Sequence, residues 1–407
     1  MLDDAILRPG RFDRLMEVPP ADEEGREDIF EIHTREMNVD DSVDMEELAE
    51  LRFRLIRLLV EEFGLRAVAF EAPFHQFCRI DEGVTTGTSD IRSILTGTDG
   101  YRPIQTAPVA ELLEWLQSVN AERPAEDHVH VYGFDTTIIE DAAIGIEPYL
   151  NRVGADIDGS LREDLDTMKT GYESEDERQA LLESARQVHS IVSPMLDANE
   201  SAWVEAESRR AYERVRHRLN LIEVQIEAHE LGREDRHALR DEAMAENVKW
   251  IHDRSTGPVV IWGVNAHLGR GRHVLDEWDV DVPSMGNRLA DSYGDLYYPV
   301  VFKTGTRRVA AKDFTTETVE EYPIPDPPSM SIPAVFQQVA EPVFSVSVED
   351  LYDDLSIRDW PRTQPRRHTI WGGTPDGDNP VRYTPPDLSE FDRAVFVRET
   401  SPLVHLD

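Results

Sequence analysis

One cysteine, four lysines and no long apolar run set the first limits on this 407-residue chain. Cys78 stands alone, which excludes an intramolecular disulfide framework and a cysteine-based zinc site. Lysine occurs only at Lys169, Lys249, Lys303 and Lys312, so nearly all positive charge is arginine. Against 81 acidic residues this leaves a formal charge of −39. A field of that sign repels phosphate backbones and anionic lipid, so neither nucleic acid nor a membrane surface is expected as a partner. No stretch approaches the roughly 20 apolar residues that a membrane helix needs. Met1-Leu2-Asp3-Asp4 places acid where a secretory leader carries base, and the expected location is cytoplasmic. Three chemical signatures are also missing: Gly-x-Ser-x-Gly, His-Glu-x-x-His and the phosphate-binding Gly-x-x-x-x-Gly-Lys-Ser/Thr loop. His267 and His273 have no evident third ligand in the sequence, so neither metal nor cofactor is expected.

What is present is an ordinary core inside an acidic coat. Hydrophobic residues make up 40% of the chain, enough for a sizeable interior, and the length suits two or three domains. The acidic, lysine-poor composition suits solubility in high salt. Leu51–Phe63 repeats leucine at helical spacing and stops at Gly64. Buried-type strands follow at Leu65–Phe70, His130–Phe134 and Pro258–Val264, with helices between them. Tyr212, Val215, Leu219, Ile222 and Ile226 mark one face of a long amphipathic helix in a segment without proline between Pro194 and Pro258. Tyr297–Phe302 reads as a fourth strand and Ala394–Val397 as a late one, with an irregular region from about 320 to 407. The pattern predicts an α/β fold, a mostly parallel sheet with flanking helices and a mainly helical insertion over 155–250.

Three of these strands end in polar residues: Glu71, Asp135, and Asn265 with His267. In open α/β sheets, ligands bind beyond the carboxyl ends of the strands, so these side chains can share one crevice. A carboxylate beside an imidazole orients water and moves protons, as ester hydrolysis requires. The alternative is structural, because strand-end carboxylates also serve as helix caps and paired charges.

Two resemblances divide the chain near residue 50. Leu2-Asp-Asp-Ala-Ile-Leu-Arg-Pro-Gly-Arg-Phe-Asp-Arg14, with Asp22-Glu-Glu-Gly25 and Ile32-His33-Thr34, resembles an AAA+ ATPase of the archaeal proteasome-activating nucleotidase type. The resemblance implies that Arg8 and Arg11 correspond to arginine fingers, which reach a neighbouring subunit's nucleotide. Both Walker motifs are absent here, so the segment has no ATP site of its own.

From Arg52 onward the chain is similar to the erythromycin esterase family. The likeness is carried by Ala67-Val-Ala-Phe-Glu71, Tyr132-Gly-Phe-Asp135, Arg240-Asp241, Met244-Ala-Glu-Asn247 and Val260-Ile-Trp262 with Asn265-Ala-His267. It implies hydrolysis of a carboxylic ester or macrolactone by activated water, hence a small-molecule ester or macrolide substrate and a part in macrolide resistance. By position it assigns Glu71, His267 and Arg52 to the catalytic crevice, with Asp135, Asn265, Asn247 and Arg240 in support.

The departures from that family are specific. Its Gly-Glu-x-x-His-Gly loop, whose histidine is the proposed general base, is absent, and the AAA+-like segment stands in its place. Val264 replaces the first histidine of His-Asn-Ala-His, and Gln105 stands where a basic residue is usual. The expectation is an in-frame fusion with an impaired hydrolytic site, unless another imidazole, His33 or His75, reaches Glu71. The alternative is a non-catalytic interaction protein whose first 50 residues contact AAA+ subunits.

Overall fold

Ala67–Phe70 is apolar on both faces, the pattern of a strand covered from two sides. It becomes β1 (Ala67–Pro73), the centre of a three-stranded parallel sheet between β2 (His130–Asp135) and β3 (Val259–Trp262). This computed structural model describes residues 45–96, 104–136, 140–275, 280–313, 319–323, 325–328, 331–353, 367–370, 373–374, 381–384, 388–400 and 406. Phe70 stands beside Gly133 on one neighbour and Trp262 on the other, so the three carboxyl ends lie level.

The two faces of β1 are sorted by the strand period of two. Val68 and Phe70 face α1 (Met45–Glu62), α2 (Phe74–Thr86) and α4 (Ala107–Ala121), which follows the short α3 (Ile91–Thr96), and pack with Ile56, Phe77 and Leu113. The small Ala67 and Ala69 face the other way, towards Met244 and Val248. Those two belong to α9 (Arg233–His252), so the small side chains let that helix approach the sheet closely.

Between β2 and α9 the chain forms α5 (Glu140–Arg152), α6 (Gly159–Lys169), α7 (Glu175–Ala206) and α8 (Arg209–Glu230). They share a core of Tyr149, Leu165, Leu181, Val188, Leu219 and Ile222. Ser174 and Glu177 form a reciprocal capping box at the start of α7. Pro194 lies inside α7 rather than at its border. Buried Val192 and Leu196 flank it, and their packing offsets the hydrogen bond that proline removes.

After β3 come the one-turn α10 (Asn265–Leu268), a hairpin of β4 (Arg272–Leu275) and β5 (Val280–Pro283), and α11 (Met285–Tyr293). The expected strand at Tyr297–Phe302 opens β6 (Val300–Asp313), which lies in a second sheet and not beside β1 to β3. There β6 pairs antiparallel with β7 (Val319–Pro323) and parallel with the late strand, Arg393–Thr400. The late strand also pairs antiparallel with Val343–Ser347, which is β8. The apolar run Ala394–Val397 supplies the partner edge that keeps β6 out of the first sheet. Among the described residues no helix is long and apolar enough to cross a membrane.

Candidate active site

Glu71 and Asp135 lie near the carboxyl ends of neighbouring strands, Asp135 in register with Pro73, and α9 crosses above them with Arg240. The Arg240 guanidinium grips Asp135 with both prongs, Nε to Oδ1 at 3.0 Å and Nη2 to Oδ2 at 2.7 Å. Nη2 also reaches Glu71 Oε1 at 3.3 Å. Asp135 is 1% exposed and Glu71 9%, so one cation is shared by two carboxylates out of water. Burial pushes Asp135 up, but the charge and hydrogen bonds of Arg240 outweigh it and hold the carboxyl below its ordinary range. The same partners raise Arg240 against the downward pull of burial.

Glu71 is fixed from the other side by backbone. Its Oε2 accepts the Val264 N–H at 2.7 Å. This contact requires glycine at 263, since a Cβ there would sit 2.8 Å from Oε2.

The remaining contacts of Arg240 decide the state of His267. Nη1 lies 3.1 Å from His267 Nε2, and a guanidinium only donates. Nε2 therefore accepts, and the ring proton sits on Nδ1, 2.8 Å from Asp241 Oδ1. Asp241 also accepts from His273 Nδ1 at 3.1 Å and from the Met285 N–H at 2.8 Å. Burial pushes Asp241 up, and the two imidazoles more than reverse it. The result is an oriented His267 whose Nε2 lone pair is taken by Arg240. Glu71 Oε1 is 3.7 Å from the same nitrogen.

Asp241, His267 and His273 lie close enough to share a metal ion, so α9 supplies the third ligand that the sequence did not make evident. The Nδ1 protons required by the distances above already occupy the space between the imidazoles and the carboxylate. Hydrogen bonding thus accounts for the whole arrangement.

Of the other residues named from the sequence, Asn247 lies two turns along α9. It donates to the Phe134 carbonyl at 2.7 Å and accepts from His217 Nε2 at 2.8 Å, pinning the strand just before Asp135. Arg52 and Asn265 are not joined to the Arg240 cluster by any described contact. Arg52 on α1 lies over Trp262 and Phe302, 5.1 and 4.8 Å from the ring centres, and burial pulls it down to about 10. Asn265 donates to the Phe302 carbonyl at 3.4 Å. The two residues therefore share a wall built on β3 and β6. Val264, where the sequence departs from His-Asn-Ala-His, is 53% exposed. His75 does not reach Glu71, whose described partners are Arg240, His267 and the Val264 N–H. Arg8, Arg11 and His33 lie outside the described residues.

A family model described as erythromycin esterase matches residues 60–400. The chain belongs to the erythromycin esterase family. Solved structures agree on the fold. A Bacillus cereus protein matches at 18% identity and TM-score 0.70, covering 89% of this chain and 87% of its own. A protein titled succinoglycan biosynthesis protein matches at 17% identity and TM-score 0.69, with 89% and 86% covered. A mutant of the erythromycin esterase EreC in its open conformation matches at 15% identity and TM-score 0.59, with 89% and 88% covered. A second likeness is local. Proteasome-activating nucleotidase 1 of Haloferax volcanii is 72% identical over 51 residues, which is 12% of this chain and 13% of that protein. The Methanocaldococcus jannaschii proteasome-activating nucleotidase is 59% identical over 72 residues, 17% of each chain. The chain thus spans about an eighth of the length of the first of these relatives.

Two features were not read from the sequence as parts of the site: the Asp241–His273 support of His267, and the central place of Arg240. The adjacency Arg240-Asp241 held a usable signal. Consecutive helical residues point about 100° apart, so one position can serve the strand ends while the next serves the loop after β3.

Proposed function

We propose that this chain is an erythromycin-esterase-type hydrolase whose water-activating step is impaired. In the intact reaction a water adds to the ester or lactone carbonyl, its proton passes to a base, and the tetrahedral intermediate expels the alcohol to leave a hydroxy acid. Glu71 is the carboxylate placed to hold that water, and His267 the imidazole placed to exchange its proton. Arg52, a cation over two aromatic rings, would stabilise the oxyanion. Arg240 and Asp135 set the position of Glu71, while Asn247 and Asn265 hold the strand ends. One observation carries the impairment: the His267 Nε2 lone pair accepts from Arg240, and no other described imidazole reaches Glu71. Losing a general base typically forfeits about 10²–10⁴ in rate.

The accompanying proposal is that the first 50 or so residues came from a proteasome-activating nucleotidase by an in-frame join that displaced the base-bearing loop. The supporting observation is the match at 72% identity, confined to 51 residues. On this reading the AAA+-like segment confers no ATPase activity. The test incubates the purified chain with erythromycin and follows the product one water heavier by mass spectrometry. Turnover at least a hundredfold below an intact family member is expected, with the residue abolished by Glu71→Gln. Turnover equal to the intact enzyme would sink the impairment, and residual turnover untouched by Glu71→Gln would sink the site.

A further inference from the structure

Arg214 and Arg240 are partly buried guanidiniums, and each ends on a carboxylate: Arg214 on Asp81, Arg240 on Asp135 and Glu71. Arg218, one turn after Arg214 on α8, is 8% exposed and has no such partner among the described residues. Its Nε is sealed from water without a hydrogen bond. An unpaired charge in this position is costly, and proteins normally compensate it with an opposite charge or dense hydrogen bonding.

The surroundings are shaped around the guanidinium. Gly145 on α5 lies directly beneath it, and a Cβ at that position would fall 1.8 Å from Nη1 and 2.0 Å from Cζ. Only glycine leaves the slot open. His75, on the first turn of α2, is 6% exposed, and its Nδ1 also lacks a hydrogen-bond partner. Burial, followed by the charge of Arg218 and by His217, pulls His75 well below its ordinary range, so the ring is neutral and carries one N–H. Neighbouring His217 has its Nε2 proton committed to Asn247, which leaves the ring lone pair on Nδ1. Asn247 gives its amide N–H to the Phe134 carbonyl, so its oxygen faces His217 Nε2, which must donate.

We propose that Arg218 and His75 form a buried oxyanion subsite where α2, α5 and α8 meet, one that takes a carboxylate or phosphate group. The guanidinium supplies two parallel donors, the geometry that a carboxylate or phosphate matches, and the imidazole supplies a third. The site lies on the helical side of the crevice: His75 follows the end of β1 by two residues, and His217, beside Arg218, is tied through Asn247 to the end of β2. It does not depend on the hydrolytic reading, because its evidence is a cation without a carboxylate partner among the described residues and not the Arg240 cluster.

The test uses the full chain at constant ionic strength, with inorganic phosphate, acetate and chloride as separate arms. Saturable binding of phosphate or acetate in the millimolar range is expected by calorimetry, with a matching rise in Tm that chloride does not give. Preference between the first two arms tells which oxyanion the subsite suits. Arg218→Met should bind at least tenfold more weakly while folding normally, since it breaks no ion pair. Gly145→Ala keeps the charge but displaces the guanidinium, and should lose binding to a similar degree. Absence of saturable binding, equal response to chloride, or unchanged affinity in both variants would overturn the proposal. Glu71→Gln separates the two readings. It should end hydrolysis and leave oxyanion binding intact, whereas loss of that binding places the anion on the Arg240 cluster and removes the subsite.

Discussion

The two ends of β2 carry the same three-residue chain and use it differently. At the amino end, Arg210 Nη1 donates to His130 Nε2 at 2.9 Å, and His130 Nδ1 gives its proton to Asp81 at 3.0 Å. At the carboxyl end, Arg240 donates to His267 Nε2, and His267 Nδ1 gives its proton to Asp241. Geometry alone therefore does not mark a catalytic histidine. The difference lies in charge balance. Asp81 meets two guanidiniums, those of Arg210 and Arg214, and also accepts the Val131 N–H at 2.9 Å. One anion against two cations is a closed lock between α2, β2 and α8. At the other end the described cation facing Glu71 and Asp135 is Arg240, with Asp241 behind His267. Carboxylates outnumber cations among these contacts, the reverse of the balance at the lock.

This contrast can be broken by stability measurements. Asp81→Ala should have the largest effect, about 3–5 kcal/mol by chemical denaturation, because it leaves buried positive charge unpaired. A loss below about 1 kcal/mol would show that the amino-end cluster is not a lock. Arg240→Met should cost less, about 2–3 kcal/mol at neutral pH, since its side chain is about a quarter exposed while the carboxylates it leaves are buried.

Acid sharpens the comparison. Asp81, Asp135 and Asp241 all have folded-state values depressed by their partners. Their contribution is present above the unfolded value, about 3.9, and is lost as pH falls through the lower folded values. Wild type should therefore lose stability below about pH 4. The deficit of Arg240→Met relative to wild type should shrink over the same range, because its carboxyls protonate more readily. A deficit that grows with acid would contradict the assigned pairing. Gly263→Ala should have the smallest effect, about 1–3 kcal/mol from the crowding of Glu71, with hydrolysis affected more than Tm.

Much of the Arg240 cluster was legible in the chain. Strand-end polarity marked Glu71, Asp135 and His267, and the parallel register does place them within reach of one guanidinium. The β1 faces were equally plain, since the apolar run Ala67–Phe70 must be covered on both sides. The separation of Arg52 and Asn265 from the Arg240 cluster was not legible, because it depends on Phe302 arriving from the second sheet. Nor was that sheet: Tyr297–Phe302 carries no mark saying which edge it joins, and the apolar strand near residue 395 decides it. His75 was visible as an imidazole near Glu71 in sequence. Helical geometry turns it instead towards Arg218, which lies more than a hundred residues away along the chain.

Composition and periodicity alone determined the negative charge, the absence of an intramolecular disulfide and the α/β pattern, while short motifs carried the two resemblances that meet near residue 50. These properties depend on residue identity and on neighbours a few positions away. Only the tertiary structure decided which charges pair. Arg240 and Arg218 are both arginines on polar helices, yet one is shared by two carboxylates and the other has none among the described residues. Ion pairing depends on distances of a few ångströms between segments far apart in the chain, and packing sets those distances.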